Sequence, residues 1–151
     1  MITQRDIAVA AVVVCATIAA VVLADSPSKP VMHSSVFEWD SLKTEPKPHG
    51  ARREVFDSRV ATLDRLECHV TTLYPGAAPH AEHKHPEEEL IIIKEGTLEV
   101  VQNNTTNRAE AGAVIFEASS EVHGLRNVGQ TTATYYVVKW FSPGTLKDKT
   151  D

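Results

Sequence analysis

Between residues 51 and 145 no long stretch of this chain repeats its apolar residues at helical spacing, which excludes a helical core for that region. Short segments rich in β-branched and aromatic residues fall instead at 53–56, 62–73, 89–94, 97–102, 113–117, 124–127 and 134–141, punctuated by Gly, Pro and Asn. Strands that recur about every 8 to 12 residues are the pattern of a sandwich or barrel, and the expected fold is all-β, a two-sheet jelly roll or double-stranded β-helix. Asn103-Asn104, between two strand patterns, reads as a hairpin turn. Along 134–141 the alternation of a strand gives Tyr136, Val138 and Trp140 one environment and Tyr135, Val137 and Lys139 the other. A buried unpaired ammonium is costly, so Lys139 is expected to face water.

Against this background the histidines stand out. His83, His85 and Glu89 share odd numbers, so on an extended strand all three side chains reach one face even if a bend intervenes. His123 sits in a second, separate turn. Three neutral imidazoles and one carboxylate suit a divalent first-row transition metal such as manganese, iron, nickel or zinc, whereas calcium would want more oxygens. Glu87 and Glu88 read as a solvated turn after Pro86. His80 breaks the strand period and is either a loop histidine or an acid/base at a pocket. His69 lies in a predicted strand, and parity alone does not settle whether it faces a pocket.

The turn residues around these positions have a recognisable spacing. Gly76, His83-Lys84-His85, Glu89 and Gly96 follow one another, and after them come Gly112, His123 and Asn127. This resembles the two motifs of the cupin superfamily, with three departures. Six residues rather than five separate Gly76 from His83, Ala118 stands where the second motif has Pro, and Ser120 stands where it has its second Gly. The resemblance implies that His83, His85, Glu89 and His123 are metal ligands inside an RmlC-like barrel. One copy of each motif implies a single-barrel member, and the family's habit of pairing makes a homodimer the expected assembly. The resemblance brings no substrate. Candidate acid/base groups for chemistry beside the metal are His80, Arg126 and one of Tyr135 and Tyr136.

The domain layout expected is a signal peptide or membrane anchor over 1–24, a linker and N-terminal arm over 25–50, the barrel over 51–145 and a tail over 146–151. From Ile7 to Leu23 no residue is charged, a run on the border between a signal core and a spanning helix, and Val22-Leu23-Ala24 offers a small-residue cleavage site. Either reading puts the barrel outside the cytoplasm, secreted or anchored by 7–23. The formal net charge of −5, without a Lys/Arg run, argues against nucleic acid or an anionic membrane surface as partner. Cys15 falls in the apolar run, which leaves Cys68 as a lone, buried apolar residue. Two functions fit. One is an exported metalloenzyme of dioxygenase, isomerase or hydrolase type acting on a small metabolite. The other is a non-catalytic module that holds a metal or a small ligand such as a sugar at the cell surface.

Overall fold

The structure, a computed structural model, describes residues 30–145; the apolar run 7–23, its cleavage site and the tail 146–151 lie outside the described residues. The described residues form nine strands: β1 (Thr44–Lys47), β2 (Gly50–Ser58), β3 (Arg65–Leu73), β4 (Glu88–Glu95), β5 (Thr97–Gln102), β6 (Thr105–Glu110), β7 (Val114–Glu117), β8 (His123–Asn127) and β9 (Ala133–Phe141). The helical element among the described residues is a single 3-10 turn, Trp39–Ser41. No helix among the described residues is long and apolar enough to cross a membrane.

The strands form two antiparallel sheets, one of six strands in the order β1-β2-β3-β9-β4-β7 and one of three in the order β6-β5-β8. This is the expected jelly roll. The inner faces meet in a core of Leu73, Ile91, Ile93, Leu98, Val100, Ile115, Ala133, Tyr135 and Val137, drawn from both sheets. Burial of these side chains is what holds the layers together, at about 25 cal/mol for each Å² of apolar surface removed from water. Every predicted strand is present. β1 and β6 add to them as edge strands, and both are largely exposed with polar sequences that carry no alternation.

Two turns show how local sequence sets this register. Asn103 and Asn104 both take positive φ, 45° and 67°, so β5 and β6 close through a two-residue turn whose twist matches the strands it joins. Between β4 and β5, Gly96 has φ 88°, and a Cβ there would lie 2.5 Å from Ala133 Cα. Only glycine fits both requirements.

The arm before β1 is held against the outside of the barrel. Trp39 carries the Arg53 guanidinium 4.6 Å from its ring centroid and Lys94 Nζ 3.8 Å from it, and Arg53 also donates to the Leu42 carbonyl at 3.0 Å. Phe37 packs on Phe56 with ring centroids 5.3 Å apart.

Candidate metal centre

The ligand-bearing segments meet because their backbones bond to one another. His83 N–H donates to the His123 carbonyl at 3.0 Å and His123 N–H returns the bond at 2.9 Å, an isolated bridge between the loop before β4 and the first residue of β8. Ser120 N–H donates to the His85 carbonyl at 2.8 Å, which ties the turn ahead of β8 to the third histidine. The outcome is a cluster in which one ligand atom from each of His83, His85 and His123 lies within 4.8 Å of the other two. The rings pack at centroid distances of 4.8 Å for His83 and His123 and 4.7 Å for His85 and His123.

The chemistry of these rings fits a metal. His85 Nδ1 lies 2.9 Å from the Glu87 carbonyl and His123 Nδ1 lies 2.9 Å from the Glu121 carbonyl. A carbonyl only accepts, so each Nδ1 carries the proton and each Nε2 keeps its lone pair, the arrangement that orients a ligating imidazole. His123 Nε2 is buried without a hydrogen-bond partner, as is His83 Nδ1. Buried nitrogens in native proteins are rarely left unpaired, and a metal among the three rings would satisfy them. Burial, and after it the neighbouring imidazoles and Lys139, pushes His83 down to about 4, so it is neutral and ready to ligate at pH 7.

Glu89, expected as the fourth ligand, lies on the same wall with its Oε2 3.4 Å from His85 Nε2. The mutually convergent set is the three histidines, and Glu89 Oε2 is paired with Lys139 Nζ at 2.9 Å. Burial disfavours the charge of Glu89, but His85 and Lys139 outweigh it and hold the carboxyl at about 2.

Lys139 corrects the sequence expectation. The alternation along β9 is as expected, but Tyr135, Val137 and Lys139 point inward and line the cavity. The ammonium escapes the cost assumed for it because it is paired, with Glu89 Oε2 and with His85 Nε2 at 3.2 Å. In-register pairing sets Glu67, Lys139, Glu89 and Glu117 side by side across β3, β9, β4 and β7, a rung of four ionisable side chains on the inner face.

A cavity of about 510 Å³ opens from Lys139, Glu89 and Glu117 of this rung and from His83 and His123. His69, Thr71, Glu117, Tyr135 and Lys139 line its interior, and Lys47, His49, Arg52 and His80 lie nearer the arm and loops. Burial raises the Glu117 carboxyl, against a hydrogen bond donated by Gln102 Nε2 at 2.8 Å. Burial likewise pushes the Tyr135 hydroxyl up, and Thr71 bonds to it. Of the sequence candidates, His80 lines the cavity at an exposed position, its ring centroid 4.1 Å from that of His83. Arg126 and Tyr136 do not line it. Arg126 is exposed and pairs with Glu99 at 2.8 Å, and Tyr136 sits across from Ile92 and Val70 on the outer face of the large sheet.

His69 and Glu67 were the harder residues to see. Glu67 accepts from Arg52 at 2.8 Å and from Arg65 at 3.1 Å, and His69 Nδ1 lies 3.2 Å from its Oε1. His69, with the two arginines, holds the Glu67 carboxyl down at about 2. The signal was the β3 sequence itself, in which Arg65, Glu67, His69 and Thr71 form the polar stripe. His69 and Thr71 of that stripe line the cavity, and the apolar stripe of Leu66, Cys68 and Val70 lies on the opposite face of the strand. Cys68 is buried there, and burial raises its thiol to about 11, which leaves it unreactive.

Comparison with known proteins agrees with this architecture. An RmlC-like cupin from Shewanella frigidimarina superposes with a TM-score of 0.59 at 18% identity, over 71% of this chain and 91% of that one. A predicted oxalate decarboxylase from Thermotoga maritima gives 0.57 at 20% identity, over 71% and 99%. The polyketide cyclase RemF from Streptomyces resistomycificus gives 0.59 at 22% identity, over 72% and 80%. No curated protein matches the sequence. The cupin domain family model matches residues 69–139, from the middle of β3 to Lys139. With the two-sheet barrel and the His83, His85 and His123 cluster inside it, that match identifies residues 69–139 as a cupin domain.

Proposed function

We propose that His83, His85 and His123 hold a divalent first-row transition metal and that the protein is an exported metalloenzyme acting on a small metabolite bound in the adjoining cavity. The observation that carries this reading is the pair of backbone-oriented imidazoles, His85 and His123, converging with His83 on a space where His123 Nε2 has no other partner. Bound there, the metal would supply Lewis acidity, or redox capacity if it is iron. Lys139 offers a cation to a carboxylate or phosphate oxygen, Glu117 can hold a proton at its buried carboxyl, and His80 stands at the mouth. A cavity lined by titratable groups favours an enzyme over the binding-module reading, which a pocket sealed by bulky apolar side chains would have favoured. The uncharged run at 7–23 supports export.

The test is metal content of the purified full chain, followed by turnover of a panel of small carboxylated, phosphorylated and sugar substrates. About one metal per chain, lost in His123→Ala together with turnover, is the expected result. Metal-dependent ligand binding with no turnover of any bound compound would move the protein to the binding-module class.

The outer face of the large sheet supports pairing of two copies. Phe116 stacks on Trp140 at 6.2 Å, and Val114, Phe116 and Ile92 are 62%, 53% and 38% exposed. An apolar patch of this kind is seldom left in water. We extend the proposal to a homodimer through this face, which sedimentation should show and Phe116→Glu should dissociate.

A further inference from the structure

One cation is already present in the centre. Lys139 Nζ lies 2.9 Å from Glu89 Oε2 and 3.2 Å from His85 Nε2, on a side chain only 18% exposed. Because His85 Nδ1 gives its proton to the Glu87 carbonyl, Nε2 presents a lone pair, and it is this lone pair that the ammonium faces. The two groups that Lys139 engages are thus a carboxylate oxygen and an imidazole nitrogen, and a metal held by three histidines and one glutamate would need both.

We propose that Lys139 sets the coordination of the metal by withholding Glu89, so that the centre is a three-histidine site with an ion pair beside it. The inference rests on the metal-site reading above. Register makes the pairing an enforced one. Lys139 and Glu89 are direct cross-strand partners of β9 and β4, with side chains on the same inner face, so the ammonium cannot leave the carboxylate without leaving the cavity wall. A metal entering among the histidines meets a positive charge beside it and must compete with that charge for the lone pair of His85. Affinity falls for both reasons. In return, the metal keeps more positions open than a fourth protein ligand would allow, and Lys139 is placed to meet an anionic oxygen of whatever occupies them. The role is that of a positioning residue for Glu89 and a specificity residue for anionic substrates.

The experiment is a titration of the metal-stripped full chain with Zn²⁺, against a competing chelator, and with Co²⁺, whose visible absorption reports coordination number. Lys139→Met keeps the length of the side chain and removes its charge. It should bind Zn²⁺ at least tenfold more tightly, with a Co²⁺ spectrum shifted by the entry of Glu89. Glu89→Gln should change Zn²⁺ affinity by less than threefold in the wild-type background and abolish most of the gain in the Lys139→Met background. Lys139→Arg, which retains a cation, should stay close to wild type. If Lys139→Met does not fold, Lys139→Gln carries the same expectation with a polar side chain. Zinc affinity unchanged or weaker on loss of the charge would overturn the proposal, as would an equal cost of Glu89→Gln in both backgrounds. Zinc binding that survives His123→Ala is a different result, because it removes the three-histidine site itself whatever Lys139 does.

Discussion

The inner face of the large sheet changes character over a few residues of the same strands. At one end the cross-strand rungs are Leu73 with Ala133, and then Thr71 with Tyr135 and Ile93. Next comes His69 with Val137, Ile91 and Ile115, and then the rung of Glu67, Lys139, Glu89 and Glu117. Each rung is two residues, roughly 7 Å, beyond the last. The backbone is the same throughout, so side-chain identity alone turns a packed core into a site. At the apolar end the side chains are held mainly by packing, with one bond between Thr71 and Tyr135, and Leu73 and Ala133 have no exposure at all. At the charged end each carboxylate is held by named partners: Glu67 by Arg52, Arg65 and His69, Glu89 by Lys139 and His85, and Glu117 by Gln102. On the proposed reading the core end supplies stability and the charged end supplies chemistry, and the two should separate under mutation.

The largest separation should come from the core. Leu98 reaches from β5 into the interface between the two sheets and is fully buried. Leu98→Ala should destabilise the fold by roughly 3–5 kcal/mol, the cost of the lost side chain and the cavity it leaves. Its Zn²⁺ affinity in the folded state should match wild type. Chemical denaturation with and without metal reads both quantities, and a Leu98→Ala protein that folds normally but binds zinc poorly would break the division between the two ends.

A smaller effect is expected at the charged end. Glu67→Gln removes a carboxylate bonded to two arginines and should cost roughly 1.5–3 kcal/mol at neutral pH. The wild-type carboxyl sits at about 2, below the ordinary glutamate value of 4.5. A depressed acid contributes stability that is present above its unfolded value and is lost as pH falls through the folded value. Wild type should therefore lose stability between about pH 4.5 and 2 more steeply than Glu67→Gln does. Denaturation midpoints across that window decide it, and parallel curves would show that Glu67 is not the group responsible.

The same contrast explains what the sequence could and could not reveal. That His83, His85 and His123 come together was legible because motif spacing and turn glycines are local properties. The alternation along β9 was legible for the same reason, but which side faced inward was not. Lys139 was placed in water on the argument that an ammonium cannot be buried alone. Its partner Glu89 comes from a strand fifty residues away, and no local pattern encodes that pairing. β3 misleads in a related way. A polar stripe beside an apolar stripe reads as solvent beside core, whereas here His69 and Thr71 of the polar stripe line a cavity, and Cys68 and Val70 of the apolar one are buried on the opposite face. β6, with the sequence Thr-Thr-Asn-Arg-Ala-Glu, is an exposed edge whose pairing comes from the Asn103-Asn104 turn rather than from its own residues. Tyr135, not Tyr136, reached the cavity because one step along a strand exchanges the faces.

The smallest expected effect lies where the sequence departs from the family pattern, in the turn that delivers His123. Ser120, which replaces a glycine of the second motif, has φ 61° and so takes the left-handed conformation that glycine adopts without strain. The strain is held in place because Ser120 N–H donates to the His85 carbonyl at 2.8 Å, and Glu121 N–H closes the turn onto the Ala118 carbonyl at 3.3 Å. Ser120→Gly should relieve the crowding at Cβ while keeping both backbone bonds. Glycine also gives the unfolded chain more freedom, which offsets part of the gain. The net expectation is a stabilisation of about 0.5–1 kcal/mol, with Zn²⁺ affinity within twofold of wild type because His85 and His123 keep their positions. Thermal denaturation of the variant beside wild type measures it. A variant that loses stability would mean that the Ser120 side chain stabilises this turn by more than its backbone strain costs, and that the substitution in the motif is a device of this chain rather than a tolerated departure.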